Sequence, residues 1–368
     1  MLLQSDPPFT PSQLTLARQR RGLTLAALAR KLNVISRTVT RWESGDIQPS
    51  EEVLVDLSRE LAFPRSFFAA PEAEDLPQGA VSFRALSKTT AGMRHSAISA
   101  GRLTVNVASW VDDNFRLPSP NVPTLTGYEP ELAAAAVRER WGIGTEPIGN
   151  LVHLLEANGV RVFSLAPDLS SVDAFSFYSQ GRPFALVNTS KTGERQRFDL
   201  AHELGHLVMH GEHQVTSSRE AEQQAQKFAG AFLMPREDVM AQPLWHADTE
   251  RIVRAKSRWK VAAMALTHRL RELDMLSEWG YRDACVMLSQ AGFRKAEPRS
   301  PIVPESSQVL GKVFRSLRER GVTGRGMAAE LHLTENELQR HVFGLVPLPL
   351  SGEGRGGGLK ADLRLVHG

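Results

Sequence analysis

Between residues 11 and 65 the apolar positions recur at helical spacing, in short runs separated by turn signals. A helix is predicted over 13–21, closed by Gly22. A second is predicted over 25–32, capped by Thr24 and turned at Asn33, and a third over 36–43, ended by Ser44-Gly45. A fourth starts at Pro49-Ser50 and stops before Pro64. Leu14, Ala17, Leu28, Val39, Trp42 and Leu57 supply a small core.

The pattern loosens over 66–95 and resumes as helices over 97–115, 129–141 and 147–158, with a proline-rich break at 117–123. It then changes period. Residues 160–165, 174–178 and 184–187 read as short strands, with Gln180-Gly181 as the turn between the last two. Helices return over 193–210, 218–234, 249–258 and 261–273, and again within 305–345. The stretch 322–338 has a helix-turn-helix cadence and reads as a helical cap, not a second DNA reader. Residues 351–368 are glycine-rich and are expected to be mobile. No internal repeat is expected.

Composition narrows the class. The chain has 368 residues, 42% apolar and 23% charged, which excludes a wholly disordered protein and leaves room for several domains. Its net charge of +3 is too small for a polycation, so nucleic-acid contact requires a local patch. Cys285 is the one cysteine, which excludes an internal disulfide and a thiolate metal site and suits a reducing cytoplasm. The N-terminus lacks the basic and apolar regions of a signal peptide. No apolar run approaches the length of a membrane helix, so no membrane partner is expected.

The chemistry concentrates in 194–235. His202-Glu203-Leu204-Gly205-His206 is an H-E-x-x-H motif inside a helical run. Residues four apart share a helix face, so both imidazoles can reach one ion. Glu203 lies about 100° round from His202, where it can work on a water without ligating the metal. Gly205 leaves room for a second backbone to approach closely. A catalytic site of this type needs a third protein ligand. In the following helix Glu222 sits at the edge of the stripe Ala225, Phe228, Ala229 and Phe232, whereas Glu220 falls on another face. A carboxylate at a buried edge is costly unless paired or bound to metal, which favours Glu222. Gln226, four residues on, is placed to orient a ligand histidine as an outer-shell group. Tyr178, Arg197 and His210 are candidate donors to an oxyanion, and 184–187 is a candidate strand for pairing with an extended substrate.

These blocks, in order, resemble the ImmA/IrrE family of zinc metallopeptidases over about 145–285: Asp173-Ala174-Phe175-Ser176-Phe177, Arg182-Pro183-Phe184, the run from Arg197 to Leu207, and Glu222 through Met234-Pro235. The resemblance implies a gluzincin-type peptidase that cuts a repressor or regulator protein. His202, His206 and Glu222 would bind one Zn2+, and Glu203 would be the catalytic acid/base.

The N-terminal run carries a basic cluster. Arg18, Arg20, Arg21, Arg30, Lys31, Arg37 and Arg41 precede the first acid, Glu43, within 11–43. Such a cluster suits phosphate contact. The run from Gly22-Leu23-Thr24 to Trp42-Glu43-Ser44-Gly45 resembles the Xre/Cro/C1 helix-turn-helix family over about 11–65. That implies a third helix in the major groove with Arg37, Thr38 and Arg41 toward DNA, in a module that commonly dimerises. Ile35 occupies the usual Ser/Thr cap of that helix, and Ser36 is the alternative cap.

The expected fold class is α+β and mainly helical. Its expected parts are a helix-turn-helix unit (1–66), a helical connector (67–144), a zincin-like peptidase domain with a small sheet (145–285), a helical C-terminal region (286–350) and the tail (351–368). The expected function is a cytoplasmic zinc endopeptidase joined to a DNA-binding module. The alternative is a non-cleaving transcription regulator or antitoxin-like protein that uses the peptidase fold for sensing or partner binding.

Overall fold

The computed structural model describes residues 8–76, 90–169, 171–211, 218–294, 296–298 and 300–346. The glycine-rich tail lies outside them. Helices α1 (Pro11–Arg20), α2 (Leu25–Lys31), α3 (Ser36–Glu43) and α4 (Glu51–Leu61) form the N-terminal unit. Thr24 Oγ1 accepts from Ala27 N at 3.1 Å, and Ser50 caps α4 in the same manner. Helix α3 has no such cap: Ile35 holds the position, is 69% exposed, and Ser36 is already helical. Leu14, Ala17, Leu28, Val39, Trp42, Leu57 and Leu61 are buried together.

A long helix, α5 (Ala91–Asn114), starts within the stretch whose pattern is loose, because Thr90 caps it. It packs on α1 and links the N-terminal unit to the rest. Helices α6 (Pro130–Arg140) and α7 (Leu151–Ala157) lead to the sheet. Strands β1 (Arg161–Ser164), β2 (Ala174–Ser179) and β3 (Arg182–Val187) take the order β1-β3-β2, with β1 parallel and β2 antiparallel to β3. The turn residues Gln180 and Gly181 have φ of 51° and 72°, the left-handed pair of a tight hairpin. Strand β3 is therefore central, with both edges already paired, and cannot add a substrate strand. Among the described residues the edge strands are β1 and β2, of which β2 runs beside the helix that follows β3.

Helix α8 (Gly193–Met209) lies across β2 and β3 and packs against α9 (Arg219–Leu233). Then follow α10 (Arg236–Met240), α11 (Thr249–Trp259), α12 (Ala263–Glu272) and α13 (Glu278–Gln290). The apolar pattern does not reveal α13, because Trp279, Val286 and Met287 point outward.

The chain then returns across the start of α8. Glu297 meets Lys256, which also holds Glu194. Glu305 accepts from Leu151 N and Val152 N and pairs with Arg197.

The C-terminal helices α14 (Gln308–Glu319), α15 (Gly324–Glu330) and α16 (Glu335–Val342) overturn the expectation of no repeat. They reproduce the first three helices of the N-terminal unit at matching positions. Gly22 and Gly321 both turn with positive φ, as do Asn33 and His332, both at 54°, and Gly45 and Gly344. Thr323 caps Gly326 as Thr24 caps Ala27. Val34 N reaches Ala29 O just as Leu333 N reaches Ala328 O. The second unit is turned inward. Its α16, the counterpart of α3, packs on β1 and α5, with Glu337 and His341 each 1% exposed.

Candidate metal centre

Helix α8 is capped by Thr192, packs on β2 and β3, and buries its apolar residues Leu200, Leu204 and Val208. That anchoring leaves His202 and His206 on the face opposite α9. Gly205 sets the spacing between the two helices. A Cβ there would lie 3.1 Å from Ala225 Cα and 3.2 Å from Ala225 O. Glu222, one turn before Ala225, is thereby brought over the histidines.

Three ligand atoms converge. His202 Nε2 is 3.1 Å from His206 Nε2, and each imidazole nitrogen is 3.4 Å from one oxygen of Glu222. Metal bonds of about 2.0–2.1 Å meeting at the tetrahedral angle set neighbouring donors roughly 3.3 Å apart. Two imidazoles and a carboxylate are also a donor set suited to zinc with one position left open. The residues therefore fit such an ion. No other His/Cys/Asp/Glu cluster of this kind occurs among the described residues. Burial pushes the Glu222 carboxyl up, but the two imidazoles more than offset this and hold it at about 2.

Glu203 is buried and turned toward β2, where its Oε2 accepts from Ser176 Oγ at 2.6 Å. It borders a cavity of about 550 Å3 that His202 also lines, with Phe198, Asp199, Met264, His268 and Phe293 in the walls. Burial pushes the Asp199 carboxyl up to about 6, against the pull of Arg195 and Lys191. His268 faces this space with its Nδ1 at 2.9 Å from Tyr281 Oη, and burial pushes its pKa down.

The other candidates are placed differently. Gln226 borders the cavity and makes no hydrogen bond with either histidine among the described residues. The contact behind His206 runs instead through His210 to Gln224. Arg197 is fully buried between Glu305, Ile148 O and Trp259 O. Tyr178 Oη donates to Leu207 O. None of Tyr178, Arg197 and His210 borders the cavity.

The sequence matches are consistent with this geometry. Residues 155–271 match the family model of the IrrE N-terminal-like domain of the M78 peptidases. Over this segment the chain is similar to the IrrE-like peptidase domain. Residues 14–68 match a helix-turn-helix family model, so the IrrE-like domain is preceded by a helix-turn-helix domain. No curated protein matches the chain.

The metal-like cluster lies inside the IrrE-like domain, on α8 and α9. In the helix-turn-helix domain, Arg37 and Arg41 are exposed on α3 and Thr38 is half-buried beside them. Much of the basic cluster is used internally. Arg18 binds Glu43 through two hydrogen bonds, Lys31 meets Glu60, and Arg20 and Arg21 both bind Glu337. Arg30, Arg37 and Arg41 carry no ion pair among the described residues, which leaves their charge on the α2–α3 face. No helix among the described residues is long and apolar enough to cross a membrane.

Proposed function

We propose that the protein is a zinc-dependent endopeptidase that acts on a regulatory protein and is coupled to DNA through its helix-turn-helix domain. The observation that carries this reading is the convergence of His202, His206 and Glu222 beside a cleft that Glu203 also lines. His202, His206 and Glu222 would hold the zinc, which when bound acidifies water and polarises a carbonyl.

The chain's own residues then do the following. Glu203, held by Ser176, takes a proton from the attacking water on its Oε1 or Oε2 and returns it to the leaving amine. Strand β2 offers its open edge beside the cleft, since Asp173 and Ala174 border the cavity. An extended peptide would add there as a further strand. The apolar walls Phe198, Met264 and Phe293 exclude water from a side chain of that peptide. His268, which lines the cleft, is a candidate donor to a developing oxyanion.

On DNA, Arg37, Thr38 and Arg41 would face the major groove. The second unit would not, because the position of Thr38 is taken there by the buried Glu337. A homodimer, as such modules often form, would place two α3 helices on successive grooves.

The test is Glu203→Gln in the full chain. Zinc binding is expected to persist while cleavage falls by about 100-fold or more. Proteins that fall in abundance with the wild type, and not with Glu203→Gln, are the candidate substrates. An unchanged biological output in Glu203→Gln would instead support the non-cleaving regulator.

A further inference from the structure

Behind the metal-facing edge of His206 lies a chain of hydrogen bonds that the proposed chemistry does not yet use. His206 Nδ1 is 3.1 Å from His210 Nδ1, and His210 Nε2 is 3.0 Å from Gln224 Oε1. His210 caps the C-terminal end of α8 one turn after His206, with ring centroids 5.1 Å apart. Gln224 comes from α9, two residues after Glu222. The rings are buried, so each nitrogen must find its partner within this chain or in the ion.

We infer that Gln224 and His210 are positioning residues that fix the tautomer and orientation of His206. The argument runs from one end. A carboxamide oxygen only accepts, so His210 Nε2 carries the proton. A neutral imidazole then has a bare Nδ1, which can only accept, so His206 must donate from its own Nδ1. That leaves His206 Nε2 without a proton and aimed at His202 and Glu222, as a ligand nitrogen must be. Turning the Gln224 amide over reverses every step and puts a proton on the ligand nitrogen, so one amide orientation and the metal-ready ring stand or fall together. Gln224 also sits on the same helix as Glu222. The relay therefore sets the registry of the two ligand-bearing helices at a second point, on the far side of Gly205.

The inference rests on the proposed metal-binding reading, and two measurements separate them. The first is zinc affinity of the full chain by competition with a chromophoric chelator. Gln224→Leu should weaken zinc binding by about 10–100-fold, Gln224→Glu should stay within about threefold of wild type because a carboxylate also accepts, and Gln226→Leu should be unchanged. The second is the His206 tautomer in the metal-free chain, read by long-range 15N–1H correlation on histidine-labelled protein. Wild type should hold its proton on Nδ1, and Gln224→Leu should populate both forms. Wild-type affinity in Gln224→Leu, or a metal-free His206 protonated on Nε2 in the wild type, would overturn the relay. A wild-type chain that takes up no zinc yet shows the Nδ1–H tautomer would uphold the relay and sink the metal reading.

Discussion

Ser176 Oγ lies 2.6 Å from Glu203 Oε2 and ties the open-edged strand β2 to the carboxylate of the helix beside it. The hydroxyl has one proton, and the shorter of its two contacts, to the side chain and not to Glu203 O at 3.2 Å, takes it. Glu203 is thereby held in one rotamer. Ser176→Ala should lower kcat by about 10–100-fold through misplacement of the carboxylate. Bound metal should not change. Paired kcat and metal-content measurements on the full chain check this, and a loss of metal would show that Ser176 acts on the helix as a whole.

Gly205 is the second constraint. In Gly205→Ala the new methyl would meet the backbone of Ala225, which cannot swing aside as a flexible side chain would. The two helices must part by a few tenths of an ångström, carrying Glu222 from the histidines. The expected cost is about 1–3 kcal/mol of stability, read as a lower urea midpoint, together with weaker zinc binding in the chelator assay.

How far the sequence reveals this site depends on whether a contact lies within one element or between two. His202, Glu203 and His206 are legible because a helix of known period places them. Glu222 is legible because a carboxylate on the edge of an apolar stripe calls for a reason. Ser176 and Gln224 are not, since each meets its partner across elements: Ser176 from a strand and Gln224 through His210. Gln226 has the helical spacing for an outer-shell role but points into the cavity. The central place of β3 depends on the parallel pairing with β1, which no local pattern encodes.

The repeat of the helix-turn-helix unit is hidden for a different reason. The two copies share turns, the Thr24 and Thr323 caps and core positions, while their recognition faces differ in charge. Where α3 has Arg37 and Thr38, α16 has Asn336 and Glu337. Only the N-terminal copy should read phosphates. Arg37→Ala with Arg41→Ala should weaken DNA binding and reduce the salt slope by about 2, near 0.9 for each lost phosphate contact. Asn336→Ala, exposed on the other copy, should leave both unchanged. Titrations at several salt concentrations decide it.

The inward copy makes the joint between domains sensitive to acid. His341 is buried, and burial pulls its pKa from the ordinary 6.5 down to about 4, against the pull of Glu337. Arg20, Arg340 and Asp168 also face it. The unfolded chain therefore binds this proton at a higher pH than the folded one. The stabilisation is present above pH 6.5 and is lost as pH falls toward 4, by up to about 3 kcal/mol. Burial pushes Glu337 up, but Arg20, Arg21 and His341 hold it at about 2, so its contribution is lost only below the ordinary carboxylate range. The urea midpoint should drop from pH 7.5 to pH 5, and the drop should shrink in His341→Asn. An equal drop in that variant would assign the acid sensitivity elsewhere.

The most direct measurement of the central claim is elemental analysis of the dialysed full-length chain. Close to one zinc per chain is expected in the wild type and in Glu203→Gln, and far less in Glu222→Ala. A wild type free of metal, or a Glu222→Ala chain that keeps the full complement, would contradict the assignment of His202, His206 and Glu222 as the ligands.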